Sequence, residues 1–327
     1  MGMDELRCTR TEAEHVKKLT IGHVDLDTSH PQNWIPIERE LGHDVVGVFD
    51  GGTVYPEGYA EQFAARLDIP RVYQSLEEMA EEVDLAIIHS VNWDLHIGRA
   101  RPFVEKGKGV LLDKPIVGNL RDANALWEWA LDGARIGGGS SLRFSYEIRG
   151  FLAQDPEQRG EPCFSFVGCG VDEFNYGIHA YSTLLGVMGS GVDCVRFLGA
   201  NGQRQVEVVW GDGRRGILTV GTPAGGRWLP FYATVVSDRA VAHIVPETGK
   251  LYRALLEAYL PYFAGEVAAP LSLEALIEPE LVAMAARMSW MNDGQRCYLS
   301  DLRLDDPGYD GAAFAAEYRL QRLAAAK

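Results

Sequence analysis

The sequence predicts an α/β unit built on a doubly wound parallel sheet. An α+β domain follows, with a mostly antiparallel open sheet covered by helices on one face. Three observations carry this. Short apolar runs alternate with helix-period stretches through the first half of the chain. The texture changes around Gly137-Gly138-Gly139-Ser140-Ser141. Beyond it, strand candidates follow one another with turn signals such as Gly211-Asp212-Gly213 and Ala224-Gly225-Gly226 between them.

In order, residues 19–24 read as a strand, 36–41 as a short helix and 44–49 as a second strand ending at Asp50. Residues 59–67 form a helix with Ala60, Phe63 and Ala64 on one face, and 75–82 a helix opened by a Ser75-x-x-Glu78 capping box. A strand at 85–89, a helix at 96–106, a strand at 110–112 and a helix at 120–131 complete the alternation. Strands at 163–167, 195–198, 206–210, 216–220, 231–236 and 240–245 suit hairpin connections, with helices near 175–188, 248–264 and 273–291. The expected organisation is a polar tail (1–17), a first domain (18–138), a second domain (139–300) and a C-terminal tail with a helix (301–327).

A net charge of −15 without any basic run argues against a nucleic-acid partner. The odd cysteine count (Cys8, Cys163, Cys169, Cys194, Cys297), with no C-x-x-C pair, suits free thiols in a reducing, cytoplasmic setting. Residues 1–17 lack a signal peptide's apolar core, and no apolar run is long enough to span a membrane. The expectation is therefore a cytoplasmic protein without a membrane partner.

The most informative stretch is Gly107-Lys108-Gly109-Val110-Leu111-Leu112-Asp113-Lys114-Pro115. Val110 to Leu112 read as a buried strand, and Pro115, lacking an N–H, ends the ladder. Lys114 is thereby left at the carboxyl end of a parallel strand, where such sheets place their ligands. A desolvated lysine there exchanges protons closer to neutrality.

Together with Ala64-Ala65-Arg66-Leu67-Asp68-Ile69, Val83-Asp84-Leu85-Ala86-Ile87-Ile88 and His96, this stretch resembles the glucose–fructose oxidoreductase / inositol dehydrogenase (Gfo/Idh/MocA) family. The family's G-K-H-V-x-x-E-K-P signature stands here with Asp113 for Glu. The resemblance implies a Rossmann domain followed by a sheet domain, with Lys114 at a nicotinamide. Asn175-Tyr176-Gly177-Ile178-His179 is similar to the family's D-x-G-x-H on a helix, where residues four apart share a face. Lys114, His179 and Asn175 are thus the expected catalytic residues, with Asn175 in place of an acid. Arg143, Tyr176 and Tyr181 are expected at the substrate. Ser90, Asn92, Trp93 and His96 stand where the family's T-P-x segment and its histidine meet the cofactor. A homodimer or homotetramer is also implied by the resemblance alone.

The cofactor loop departs from the expected G-x-G-x-x-G. It reads Gly22-His23-Val24-Asp25-Leu26-Asp27-Thr28-Ser29-His30-Pro31, with Asp25, Asp27 and His30 at the glycine positions. Two carboxylates beside a diphosphate would repel it, so either they point away, with Thr28, Ser29, His30 and Asn33 contacting phosphate, or no dinucleotide binds in the usual pose; Asp27, expected in the cofactor loop, and Ser29 suit caps of that loop and the helix. Pro31 and Pro36 should delay or kink the following helix. Asp50, after the second strand, suits ribose hydroxyls and repels a 2′-phosphate, which favours NAD over NADP; Asp50-Gly51-Gly52 is equally a turn.

The leading expectation is an NAD(P)-dependent oxidoreductase acting on a hydroxyl or carbonyl of a sugar, sugar derivative or cyclitol, without a metal. Three alternatives remain. One is a non-catalytic binding or regulatory protein on the same fold, and another is a net lyase or glycosidase using transient oxidation by bound NAD. The third is a metal enzyme built on His23, Asp25, Asp27 and His30.

Overall fold

The computed structural model describes residues 17–325; the polar tail at 1–16, with Cys8, lies outside them. The first sheet is parallel, in the order β2-β1-β3-β4-β5. Its elements are β1 (Thr20–Val24), α1 (His30–Glu40), β2 (Asp44–Phe49), α2 (Tyr59–Arg66), α3 (Leu76–Glu82), β3 (Leu85–Ile88), α4 (His96–Glu105), β4 (Gly109–Leu112), α5 (Leu120–Leu131) and β5 (Ile136–Gly138). β3 and β4 are buried along their whole length, as strands covered on both faces must be. The helix 75–82 opens as its capping box dictates: Ser75 Oγ accepts from the Glu78 N–H at 3.2 Å.

Two differences from the expected elements matter for the site. α1 begins at His30, not at residue 36. Pro31 falls in its first turn, where a missing N–H costs nothing and the fixed φ suits the helix, and Pro36 is carried inside it. A fifth strand, β5, uses the glycine run at 136–138 that reads as a boundary. Gly138, at φ 133°, lies so close to the Leu112 carbonyl that a side chain there would overlap it.

The second half holds α6 (Tyr146–Leu152), α7 (Pro156–Arg159), β6 (Pro162–Gly170), α8 (Gly177–Met188), β7 (Val192–Asn201), β8 (Gln203–Trp210), β9 (Arg215–Val220), β10 (Leu229–Ser237), β11 (Val241–Ile244), α9 (Leu251–Phe263), α10 (Leu273–Met291), β12 (Cys297–Tyr298) and α11 (Gly311–Ala325). The second sheet runs β11-β10-β6-β9-β8-β7-β12. It is antiparallel except at its centre, where β6 and β9 pair in parallel, so hairpins alone do not build it. α8 and α10 pack on one face of this sheet.

α9 packs elsewhere. Its Leu255, Leu256, Tyr259, Leu260 and Phe263 join Ile21, Leu85, Ile87 and Leu111 of the first sheet in one buried cluster. α11 also returns to the first half, where Ala315, Phe314 and Tyr318 pack with Val54, Val91 and Tyr55 beyond the ends of β2 and β3. The second half thus covers one face of the parallel sheet with α9 and meets the carboxyl edge of that sheet with α11.

Candidate active site

A pocket of about 810 Å³, including its open mouth, lies at that edge; its walls include His30, Asp113, Lys114, Tyr176, His179 and Tyr252. Lys114 comes from the end of β4, His30 opens α1, Tyr176 and His179 open α8, and Tyr252 opens α9. Trp228 and Phe231 add an apolar side from β10 and the loop before it.

Lys114 Nζ donates to the backbone oxygen of Asn175 at 2.9 Å and to its Oδ1 at 3.1 Å, and lies 5.2 Å from the centroid of the Tyr176 ring. Burial pulls its pKa below the ordinary lysine value, against the opposing pull of Asp113 and Asp172. His179 is buried, with Nδ1 2.7 Å from Ser140 Oγ. Burial, and then the Lys114 charge, hold its pKa well below the ordinary value, so the ring is neutral near pH 7. That bond leaves Nε2 as the nitrogen able to meet a substrate hydroxyl.

The loop after β1 turns its carboxylates inward. Asp25, at φ 60°, accepts from the Gly51 N–H at 2.8 Å, from Ser90 Oγ and from Arg99 Nε at 3.1 Å. Asp27 Oδ2 accepts from the Val91 N–H at 2.9 Å, while Oδ1 is buried without a partner. Burial, then the Asp25 charge, push the Asp27 pKa up to about 7. Thr28 Oγ1 accepts from the His30 N–H, and Asn33 Nδ2 donates to the Ser29 carbonyl. Ser29 places no side-chain cap on α1, and the first turn carries no acid. At the amide end of α1 the His30 N–H is taken by Thr28 and Pro31 has none, so the Gln32 N–H and the Thr28 and Ser29 hydroxyls are what would hold a diphosphate there.

Other expected residues stand apart from the pocket. Trp93 is buried against Phe174 and Phe314 and donates Nε1–H to the Tyr309 carbonyl, so it has no free face for a cofactor ring. Asn92 caps a short turn through the Asp94 N–H, and the His96 ring spans the Ile116 and Ser90 carbonyl oxygens. Asp50 accepts from the Gly52 N–H, as its turn reading requires, and burial raises its pKa. Arg143 donates to the Ala275 carbonyl, and Tyr181 is wholly buried with an unpartnered hydroxyl; neither reaches the pocket wall.

A second constellation was not legible as a unit. His30 Nδ1 meets Asp113 Oδ2, and His89 Nδ1 lies 3.2 Å from the same oxygen. His89 Nε2 is 3.0 Å from His23 Nδ1, and His23 Nε2 is 2.8 Å from Glu38 Oε2. Burial pushes the Asp113 pKa up, but His30 and His89 overcome it and hold the carboxyl well below its ordinary range. Burial lowers His89 to about 4. His89 follows β3 as Asp113 follows β4, so strand-end placement was the available signal. Asp25 and Asp27 do not join His23 and His30, because both are spent on backbone N–H groups across the loop.

Residues 26–134 match the model of the Gfo/Idh/MocA family, described as an oxidoreductase family with an NAD-binding Rossmann fold. This segment belongs to that family. A dehydrogenase described as probable from Thermotoga maritima superposes with TM-score 0.74 at 15% identity, over 87% of this chain and 100% of that one. The scyllo-inositol dehydrogenase of Lactobacillus casei gives 0.75 at 14%, over 88% and 99%. GenD2 from gentamicin A biosynthesis, in complex with NAD, gives 0.70 at 15%, over 88% and 99%. At such identities the likeness establishes the fold of both halves. No curated protein sequence matches the chain. The family description supports a nicotinamide cofactor for the matched segment. Among the described residues, no helix is long and apolar enough to cross a membrane.

Proposed function

We propose that the protein is a cytoplasmic NAD-dependent oxidoreductase acting on a secondary hydroxyl, or the matching carbonyl, of a sugar derivative or cyclitol. The observation that carries this reading is the convergence of Lys114 and His179 from the two halves on one pocket, with Asn175, behind the wall, holding the Lys114 ammonium. Lys114 binds and polarises the reacting oxygen, and neutral His179, held at Nδ1 by Ser140, takes the hydroxyl proton at Nε2. Asn175 positions Lys114 without adding charge. A bound nicotinamide supplies the hydride acceptor; the protein's part is to orient substrate and manage the proton. The Thr28 and Ser29 hydroxyls suit the diphosphate, and Asp50 suits the ribose of NAD rather than a 2′-phosphate.

The dehydrogenases among the structural neighbours support a small-molecule substrate, and the inositol dehydrogenase supports a polyol. Domain limits of 18–138 and 139–300 accompany this reading. Phe164, Phe166 and Leu198, exposed on the second sheet, suit pairing of two copies as a homodimer or homotetramer.

The test is a titration of purified protein with NADH and NADPH, followed by tryptophan-to-nicotinamide energy transfer with Asp50→Ala as control. A polyol screen for NAD⁺ reduction follows. Saturable NADH binding stronger than NADPH binding, narrowed in Asp50→Ala, is expected; absence of binding by either overturns the reading.

A further inference from the structure

We propose that His30, His89 and Asp113 bind one divalent first-row transition-metal ion in the wall of the pocket. One ligand atom from each lies within 4.8 Å of the other two. Two imidazoles and a carboxylate are a donor set that zinc and ferrous iron accept, and three ligands leave coordination positions open. Those positions face the pocket, because His30 and Asp113 line it together with Lys114 and Tyr252.

The surroundings of the triad are built as the outer shell of a metal site is built. Both histidine rings already aim Nδ1 at one oxygen, Asp113 Oδ2. Trp34 lies flat on the His30 ring, with centroids 5.7 Å apart at 10°, and meets His89 edge-on at 5.0 Å and 77°. Both imidazoles are thereby fixed in orientation.

Behind the triad, the His89 and His23 rings are coplanar within 7°, and the wholly buried His23 meets the wholly buried Glu38. An ion on His89 Nδ1 gives every proton in this row a direction. His89 Nε2–H donates to His23 Nδ1, and His23 Nε2–H donates to the Glu38 carboxylate. Each donor then has an acceptor, and the two charges of the ion are matched by Asp113 and Glu38. Without an ion, His89 Nδ1–H must donate to Asp113 and the row reverses. Its last link then needs a proton on Glu38 or a second one on His23. A hydrogen-bonded row ending on a carboxylate is how metal sites orient a histidine ligand.

The ion would accept a substrate oxygen between itself and Lys114, a binding and polarising role added to the pocket. The inference is independent of dinucleotide binding, because the protein alone holds the ion.

The test uses the full chain, stripped with a chelator and exchanged into metal-free buffer. Zn²⁺ is titrated calorimetrically, and Co²⁺ is followed by its visible absorption. The expected result is one ion per chain, with a Zn²⁺-dependent rise in Tm. His30→Ala and Asp113→Asn should each weaken Zn²⁺ binding by about tenfold or more, and His243→Ala, an exposed histidine outside the cluster, should leave it unchanged. Wild type that takes up no stoichiometric ion overturns the proposal, and so do His30→Ala and Asp113→Asn proteins that bind as wild type does. Should Asp113→Asn fail to fold, His30→Ala at the half-buried pocket rim decides. NADH binding is read separately, so failure of the metal site and failure of the oxidoreductase reading are told apart.

Discussion

Lys114 and Asn175 are joined twice, through the Asn175 side-chain and backbone oxygens, so one residue of the second half holds the ammonium of the first. The partner is neutral. Burial therefore lowers the Lys114 pKa with no carboxylate at position 175 to oppose it. Asn175→Asp adds that charge and favours the ammonium, so the Lys114-dependent limb of the pH–rate profile should move to higher pH. Lys114→Ala should lower kcat/KM by about 10²-fold or more. A profile unmoved by Asn175→Asp would mean that Lys114 does not titrate in turnover.

His179 depends on Ser140 for its tautomer, since the 2.7 Å bond engages Nδ1. His179→Gln should lower turnover by about 10²-fold, within the range for loss of a general base. Ser140→Ala should cost less and act through orientation, lowering kcat while KM changes little. Equal losses in kcat from both variants would place the decisive group at Ser140.

The fold was legible because β3 and β4 are short, wholly apolar and flanked by helix-period stretches, a pattern that only a covered parallel sheet explains. The strand-end position of Lys114 was legible from Pro115, but the expected shared helical face of Asn175 and His179 was not borne out, because α8 starts at Gly177 and leaves Asn175 in the loop before it. Trp93 was not, because its burial comes from Phe314 on α11, more than two hundred residues away. The His30–His89–Asp113 grouping was hidden for the same reason: three strand or helix ends converge only once β1, β3 and β4 lie side by side. The start of α1 was misread because a proline in a first turn looks, in sequence, like a helix breaker.

Two glycines that look alike in sequence should respond oppositely to alanine. At Gly118 a Cβ would overlap Trp93 Nε1 and lie 2.6 Å from the Tyr309 carbonyl, the pair that ties the end of the chain to the first sheet. Gly118→Ala should lower Tm. Gly98, inside α4, has open space around it, and alanine there should stabilise by roughly 0.5–1 kcal/mol through backbone entropy. Thermal unfolding of both variants checks the contrast; a stabilised Gly118→Ala would show that α11 does not depend on this contact.

Glu280 supplies the last prediction, and its sign is fixed by burial. Oε1 accepts from the Ile116 N–H at 3.0 Å, Oε2 is buried without a partner, and burial pushes the carboxyl up to about 8. The folded state therefore holds a proton that the unfolded chain releases near pH 4.5. Between those values the folded chain binds more protons than the unfolded one, so this group's contribution to stability falls as pH rises from about 4.5 to about 8. Asp27, raised to about 7, acts in the same direction over a narrower span. His89, lowered to about 4, acts oppositely: its contribution is complete above the ordinary histidine value and is lost as pH falls toward 4. Glu280→Gln replaces a protonated acid with a neutral group of the same shape. It should fold normally at pH 6 and flatten the decline in Tm from pH 6 to 8, where each kcal/mol corresponds to roughly 2–4 °C. Tm measured against pH for wild type and variant decides this; parallel curves would mean that Glu280 is already ionised in the folded protein.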